Sequence, residues 1–323
     1  MGIQDVSFWP RKRVVITGGA GFLGSHLVEK LVQNAADVVV ADDHSRGYSR
    51  RSGADFHVID VGDVLSCRRI FEGADVVFNL AACVAGVLFN QSHHLEMFER
   101  NLRLQTAPVL AAKSVGVPRF LQVSSVCVYA PQYAASALEE NGQAGEPVEA
   151  NSGYAWAKRM GERVALWAGL PHLVIVRPSN LFGPRDHFDE RAHVIPALIR
   201  KCLEQDVIQV HGTGHEIREF LYVEDAAEGM IAALEQGKPG AVYNMGTHGV
   251  NRMCIADLVA EIQRLTGAES KPVYFTGGDA GDSDRWSNCG RMTEEVGWSY
   301  RTSLLEGLQR TVEWYMREQL VVV

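Results

Sequence analysis

Arg13-Val-Val-Ile-Thr17-Gly18-Gly-Ala-Gly21-Phe-Leu-Gly24 decides how the chain folds. Its first five residues form a short apolar run that breaks into glycines. After the glycines, Leu23, Leu27, Val28, Leu31 and Val32 recur on one side of a helix. Glycines 18, 21 and 24 have the spacing GxxGxxG, a variant of the dinucleotide fingerprint. Such glycines permit a tight turn, close backbone approach to a pyrophosphate, and close packing of strand on helix. The pyrophosphate then sits at the positive end of the helix dipole. The next apolar run, Asp37–Ala41, ends in Asp42, 18 residues after Gly24. A carboxylate there accepts the hydroxyls of an adenine ribose and repels a 2′-phosphate, so the reading is NAD rather than NADP. A turn-forming Asp at a strand end is the plainer alternative.

Outward from this unit, strands and helices alternate. His57-Val-Ile-Asp60, Asp75-Val-Val-Phe-Asn-Leu80, Arg119-Phe-Leu-Gln-Val-Ser124 and Leu173-Val-Ile-Val-Arg177 read as strands. A long helix is expected from about His94 to Ser114, and another around Tyr154. This alternation predicts an α/β fold, a doubly wound parallel Rossmann sheet covered on both faces. Ligands of such sheets bind outside the carboxyl ends of the strands, which would bring Gly18, Asp42, Asp60, Ala81, Ser124 and Tyr154 together. After Arg177 the rhythm loosens. Helices are expected at about Val194–Gln205, Glu224–Glu235, Ile255–Thr266 and Leu304–Met316, with a strand at Ala241–Met245. We expect a dinucleotide-binding domain over residues 1–179 with a return segment at about 219–250. A smaller, interleaved substrate-binding domain takes residues 180–218 and 251–323.

Apolar residues make up 46% of the 323, enough for an ample core, and charged residues 22%. The net charge of −8 argues against a nucleic-acid or anionic-membrane surface. An anionic ligand therefore needs local cations. The six cysteines (67, 83, 127, 202, 254, 289) show neither CxxC nor zinc spacing, so reduced thiols, a cytoplasmic location and no metal are expected. Met1–Arg13 lacks the apolar core of a signal peptide, and no apolar run approaches membrane-spanning length.

Tyr154 and Lys158, in Asn151-Ser-Gly-Tyr-Ala-Trp-Ala-Lys158, stand one helical turn apart on one face. An ammonium there would favour ionisation of a phenol whose ordinary pKa is about 10. A phenolate is a base able to take a proton from an alcohol. The same spacing also occurs on any amphipathic helix, so the pair gains weight only from its company.

That company resembles the extended short-chain dehydrogenase/reductase family. The matching motifs are Thr17-Gly-Gly-Ala-Gly21-Phe-Leu-Gly24, Asn79-Leu-Ala-Ala82, Ser124-Ser125, Tyr154/Lys158, Arg177-Pro-Ser-Asn180-Leu-Phe-Gly-Pro184 and Arg218-Glu-Phe-Leu-Tyr-Val-Glu-Asp225. They occur in the family's order along nearly the whole chain. The resemblance implies hydride transfer at a sugar carbon by Tyr154 and Lys158, with Ser125 bonded to the reacting oxygen. It implies nucleotide-linked sugars as substrates and a homodimer built on the long helix and the Tyr154 helix. NAD contacts are implied for Gly18, Gly21, Phe22, Leu23, Asp42, Ser45, Arg46, Asp60, Val61, Leu80, Ala81, Ala82 and Asn101. Gly86, Asn180, Lys201, Arg218 and Arg285 are implied on the substrate side, the last three near a diphosphate.

Within the family, Ser124-Ser-Val-Cys127-Val-Tyr129 resembles a stretch of GDP-mannose 3,5-epimerases and GDP-fucose synthases. His193-Val-Ile-Pro-Ala-Leu-Ile-Arg-Lys201 is similar to the HVIPALLRR segment of the latter. The resemblance implies that Cys127 and His193 form an acid/base pair, although a thiol at a strand end also packs inertly and a His at a helix start also caps. Val126-Cys127, where dehydratases of the family carry Asp-Glu, argues against dehydration. Asp42 argues against an NADPH-consuming reductase. The 3,5-epimerases carry Lys where His193 falls. The expected activity is NAD-dependent epimerisation of a GDP-hexose through a transient 4-ketone. The alternatives are an epimerase-reductase, a 4-epimerase and a dinucleotide sensor without turnover.

Overall fold

The computed structural model describes residues 8–46, 53–278, 281 and 283–321. Met1–Ser7, part of the stretch read for a targeting signal, lies outside the described residues. In chain order the first half runs β1 (Arg13–Thr17), α1 (Phe22–Gln33), β2 (Asp37–Asp42), β3 (Ala54–Val58), α2 (Val64–Phe71), β4 (Val76–Asn79), α3 (Val87–Ser92), α4 (His94–Val115), β5 (Arg119–Val123), α5 (Ser152–Ala168) and β6 (His172–Pro178). The second half continues β7 (Asn180–Phe182), α6 (Val194–Glu204), β8 (Ile208–Val210), β9 (Ile217–Tyr222), α7 (Val223–Gln236) and β10 (Ala241–Met245). It ends β11 (Arg252–Cys254), α8 (Ile255–Thr266), β12 (Val273–Phe275), β13 (Asp284–Arg285) and α9 (Leu304–Val321).

Seven parallel strands form the main sheet in the order β3-β2-β1-β4-β5-β6-β10. Side chains alternate between its faces, as the strand period requires. Val14, Ile16, Val38 and Val40 pack under α1 and α7, whereas Val15, Val39 and Ala41 pack under α2, α4 and α5. Both faces are covered, which is why these strands read as continuous apolar runs. The strand order reverses direction between β1 and β4, and the crevice at that switch point is the ligand position of such sheets.

The edge strand β3 begins upstream of the expected His57–Asp60 and overlaps it only at His57 and Val58. Its pairing with β2 ends at Val58, and Ile59–Asp63 then turns, with the Asp60 carboxylate accepting from Gly62 N at 2.8 Å.

Small residues let α5 lie close against α4. A Cβ on Gly153 would stand 2.2 Å from the carbonyl oxygen of His94, and one on Gly161 2.6 Å from Gln105 Cβ. This contact aims Tyr154 and Lys158 at the strand ends.

After β6 the chain builds a second cluster around α6, α8 and α9, with Leu198, Ile199, Leu258, Ile262 and Leu308 buried in it. Between α6 and α8 it returns to the main sheet with α7 and β10. The expected return segment included 219–222, but β9 pairs with β7, β11 and β13 instead.

Candidate active site

A cleft of about 740 Å³ opens between the C-terminal ends of the sheet strands and the second cluster. Gly18, Gly21, Phe22, Leu23, Asp42, Ser45, Arg46, Val61, Leu80, Ala81 and Ala82 line its dinucleotide end. Gly86, Ser125, Cys127, Tyr154, Lys158, Asn180, His193, Lys201, Arg218 and Arg285 line the remainder. Two expected cofactor residues stand apart from this lining. Asp60 is exposed and paired with Arg103 at 3.0 Å. Asn101 is fully buried and bonds the backbone of Cys83 and Met97, supporting the wall from behind.

The dinucleotide end fits the group its sequence implies. Gly18 has φ +69°, and a Cβ there would stand 2.9 Å from the Ala81 backbone. A Cβ on Gly24 would stand 2.2 Å from Gly18 O, so only glycine lets α1 begin this near the loop. Gly21 caps α1 without a side-chain bond, leaving the first-turn N–H groups facing the cleft. Asp42, 7% exposed, closes the β2 end. Its carboxylate accepts from Ala20 N at 3.0 Å and His44 N at 2.8 Å, and burial raises its pKa. Beneath the loops, Thr17 Oγ1 donates to Asn79, Asn79 to Gln122, Gln122 to Gln105, and Gln105 to Ala81 O. This buried chain fixes the β1 and β4 ends relative to each other.

At the reactive end, Ser125 follows β5 and its hydroxyl accepts from Cys127 N at 3.1 Å, lying near enough to Tyr154 to favour the phenolate slightly. Lys158 Nζ donates to Val123 O at 2.7 Å and lies 5.6 Å from the centroid of the Tyr154 ring. The expected electrostatics are corrected here. Burial dominates at both groups, pushing Tyr154 well up and Lys158 down to about 7, with Glu162 and Cys127 partly opposing the Lys158 shift. The phenol is therefore protonated at neutral pH, and the pair sheds its first proton from Lys158.

Cys127 belongs to a short helical turn, Val126–Val128. Its two neighbours are buried, whereas Cys127 is half-buried and faces the cleft, unlike an inert packing thiol. His193 is the N-cap residue of α6, but its ring makes no capping bond. The residue is exposed along the cleft, and partial loss of water around the ring together with the Arg46 guanidinium disfavours the imidazolium and lowers its pKa. The imidazole is therefore neutral at pH 7.

Among the other expected residues, Asn180 Nδ2 donates to Glu219 O at 2.8 Å and Lys201 Nζ to Gln209 O at 2.7 Å. Gly86 N donates to Arg191 O at 2.9 Å, and a Cβ on Gly86 would stand 2.7 Å from Ala192 O.

Sequence reasoning missed two features. Arg46 crosses to Asp189 at 2.6 Å and to Val84 O at 2.8 Å, a contact over 143 positions that no local pattern announces. Asp186, 3% exposed, lines the cleft with Oδ2 unpartnered, and burial raises its pKa to about 7. Its one signal was a charged residue just after the Gly183-Pro184 turn.

A glycine-lined dinucleotide groove leading into a Ser/Tyr/Lys set defines a nicotinamide-dependent enzyme of the short-chain dehydrogenase/reductase class. Residues 14–246 match the NAD dependent epimerase/dehydratase family, and the chain belongs to it. NAD is the cofactor of this family. The chain is 30% identical over 319 residues to a UDP-N-acetyl-alpha-D-glucosaminuronate decarboxylase of Bacillus cytotoxicus, covering 94% of this chain and 98% of that one. It is 28% identical over 315 residues to a GDP-L-fucose synthase of Sinorhizobium fredii, covering 94% and 96%. A UDP-glucose 4-epimerase structure from Thermotoga maritima superposes with a TM-score of 0.86 at 26% identity, covering 95% and 99%. A dTDP-glucose 4,6-dehydratase of Streptomyces venezuelae with NAD bound gives 0.85 at 26%, covering 96% and 98%.

Proposed function

We propose that the enzyme epimerises a nucleotide-linked hexose, with GDP-hexoses the first candidates, through a transient 4-ketone. The observation that carries this reading is a half-buried thiol and an uncapped imidazole lining the same cleft as Ser125, Tyr154 and Lys158. NAD, when bound, supplies acceptance and return of hydride at C4. Tyr154 takes the C4 hydroxyl proton, with Ser125 holding the oxygen. A ketone at C4 acidifies the C–H bonds at C3 and C5. His193, neutral, accepts a proton from one face, and Cys127 delivers one from the other. These roles reverse in the back reaction. Return of hydride and proton to C4 leaves no net oxidation.

Screening GDP-, UDP-, CDP- and dTDP-hexoses by NMR tests the reading. A product inverted at C3 or C5, with no net change in nicotinamide absorbance, is expected. A dehydrated or decarboxylated product, or turnover inverting only C4, would overturn it. The GDP-L-fucose synthase relative favours a second reading, an epimerase-reductase, which net consumption of NADH or NADPH would establish. NAD binding without turnover of any sugar would mark a sensor.

The assembly belongs to the same proposal. An apolar recess between α4 and α5 is lined by Leu95, Phe98, Trp156 and Met160, and Leu95 is 78% exposed. This face supports a homodimer. Light scattering on the full chain should give twice the chain mass, and Leu95→Glu should give monomer. A monomeric wild type would refute it. The free thiols suit a reducing compartment such as the cytoplasm, and no helix among the described residues is long and apolar enough to cross a membrane.

A further inference from the structure

We infer that Arg285 is the positioning residue for the thiolate form of Cys127, its guanidinium fixed beside the sulfur. The inference rests on the acid/base role proposed for that thiol. Arg285 is 5% exposed, and its Nη1 donates to Cys127 Sγ at 3.4 Å.

The contact is held from several directions. Strand β13 pairs with β9, placing Arg285 beside Arg218. Just beyond it, Trp286 N donates to Ala134 O at 3.0 Å, Ala137 N to Trp286 O at 3.1 Å, and Asn288 N to Ala137 O at 3.0 Å. These bonds fasten the Arg285 backbone to the segment that follows the Cys127 turn. Ser287 N adds a bond to the buried Glu219 carboxylate at 3.1 Å. The neighbouring carboxylate, Asp284, pairs with Arg252 at 2.9 Å.

Charged or titratable groups beside the sulfur include Tyr154 and Lys158 from α5, and Arg285. Tyr154 is a neutral phenol. Lys158 is committed to Val123 O and loses its proton near neutrality. A guanidinium stays charged throughout, so Arg285 is the lasting cation beside the thiol. A hydrogen bond from a charged donor favours the ionised acceptor. The thiolate exists on one side of every proton transfer by Cys127, and Arg285 stabilises it there. Lys201 and Arg218 also line the cleft.

Thiolate alkylates and thiol does not, so the test is the pH profile of iodoacetamide alkylation at Cys127, read by peptide mass spectrometry on the full-length NAD-loaded protein. Arg285→Gln should slow alkylation about tenfold at neutral pH, with rates converging at strongly alkaline pH where the thiol ionises regardless. Arg285→Lys should stay within about threefold of wild type. Superimposable profiles, or an equal slowing at every pH, would overturn the inference.

Should Arg285→Gln fail to fold, Arg285→Met takes its place, with the same slowing at neutral pH expected and a profile superimposable on wild type counting against the role. The readout does not depend on turnover. Unchanged alkylation alongside a Cys127→Ser variant that cannot epimerise removes this inference alone. The expected profiles without epimerisation remove the functional reading alone.

Discussion

Tyr154→Phe should lower turnover of the selected nucleotide sugar by about a thousandfold, with NAD affinity and KM changed only a few-fold. The change deletes one oxygen, the atom proposed to receive the proton of the alcohol. The ring and its packing against Lys158 survive. Wild-type turnover should also fall as pH drops through about 7. Below that point Lys158 is charged and Tyr154 is a phenol, so the pair carries one proton too many to act as a base. Above it the pair is neutral overall, and its remaining proton can sit on the lysine when the phenolate is needed. Residual activity of Tyr154→Phe should lack this acid limb. Steady-state rates across pH check both statements, and a variant retaining a tenth of wild-type turnover would remove Tyr154 from its role.

Arg177→Met should destabilise the fold by about 3–5 kcal/mol, because it strands a buried carboxylate. Arg177 and Glu162 are 2% and 1% exposed and meet at 2.7 Å. Arg177 also donates to Tyr129 at 2.9 Å and to Glu139 O at 2.8 Å, and Glu162 accepts from Gln143 at 2.8 Å and from Ser124. Burial alone would favour loss of the Arg177 proton, but Glu162 and Tyr129 outweigh it and hold the guanidinium charged. Removing both charges in Arg177→Met/Glu162→Leu should cost less than Arg177→Met alone, since no unpaired charge remains. Urea unfolding of the three proteins measures this. The site should respond too: Ser124 precedes Ser125, so turnover of Arg177→Met should fall even well below its unfolding midpoint. A single-variant loss under about 1 kcal/mol would contradict the account, as that is the scale of an exposed pair.

The main sheet was legible because parallel strands buried on both faces must be apolar throughout and their helices must be amphipathic. Ala241–Met245 and Ile255–Thr266 fall where the sequence places them. The small sheets were not legible. Strands of two or three residues, such as Asp284–Arg285, exist only through their partners and carry no alternation of their own. The same division holds for the site. Of the strand-end residues read as converging, Gly18, Asp42, Ala81, Ser124 and Tyr154 line the cleft, whereas Asp60 faces solvent beside Arg103. Contacts across the fold, Arg285 with Cys127 and Arg46 with Asp189, depend on how β13 and the 183–193 segment dock. The electrostatic sign at Tyr154 was not legible because burial, which no spacing displays, dominates there.

The most direct measurement of the central claim is turnover of the selected GDP-hexose in heavy water, with NMR location of the label. Deuterium at C3 or C5 of the recovered sugar, lost in Cys127→Ser, is the predicted result. Product formed with both positions still fully protiated would contradict it.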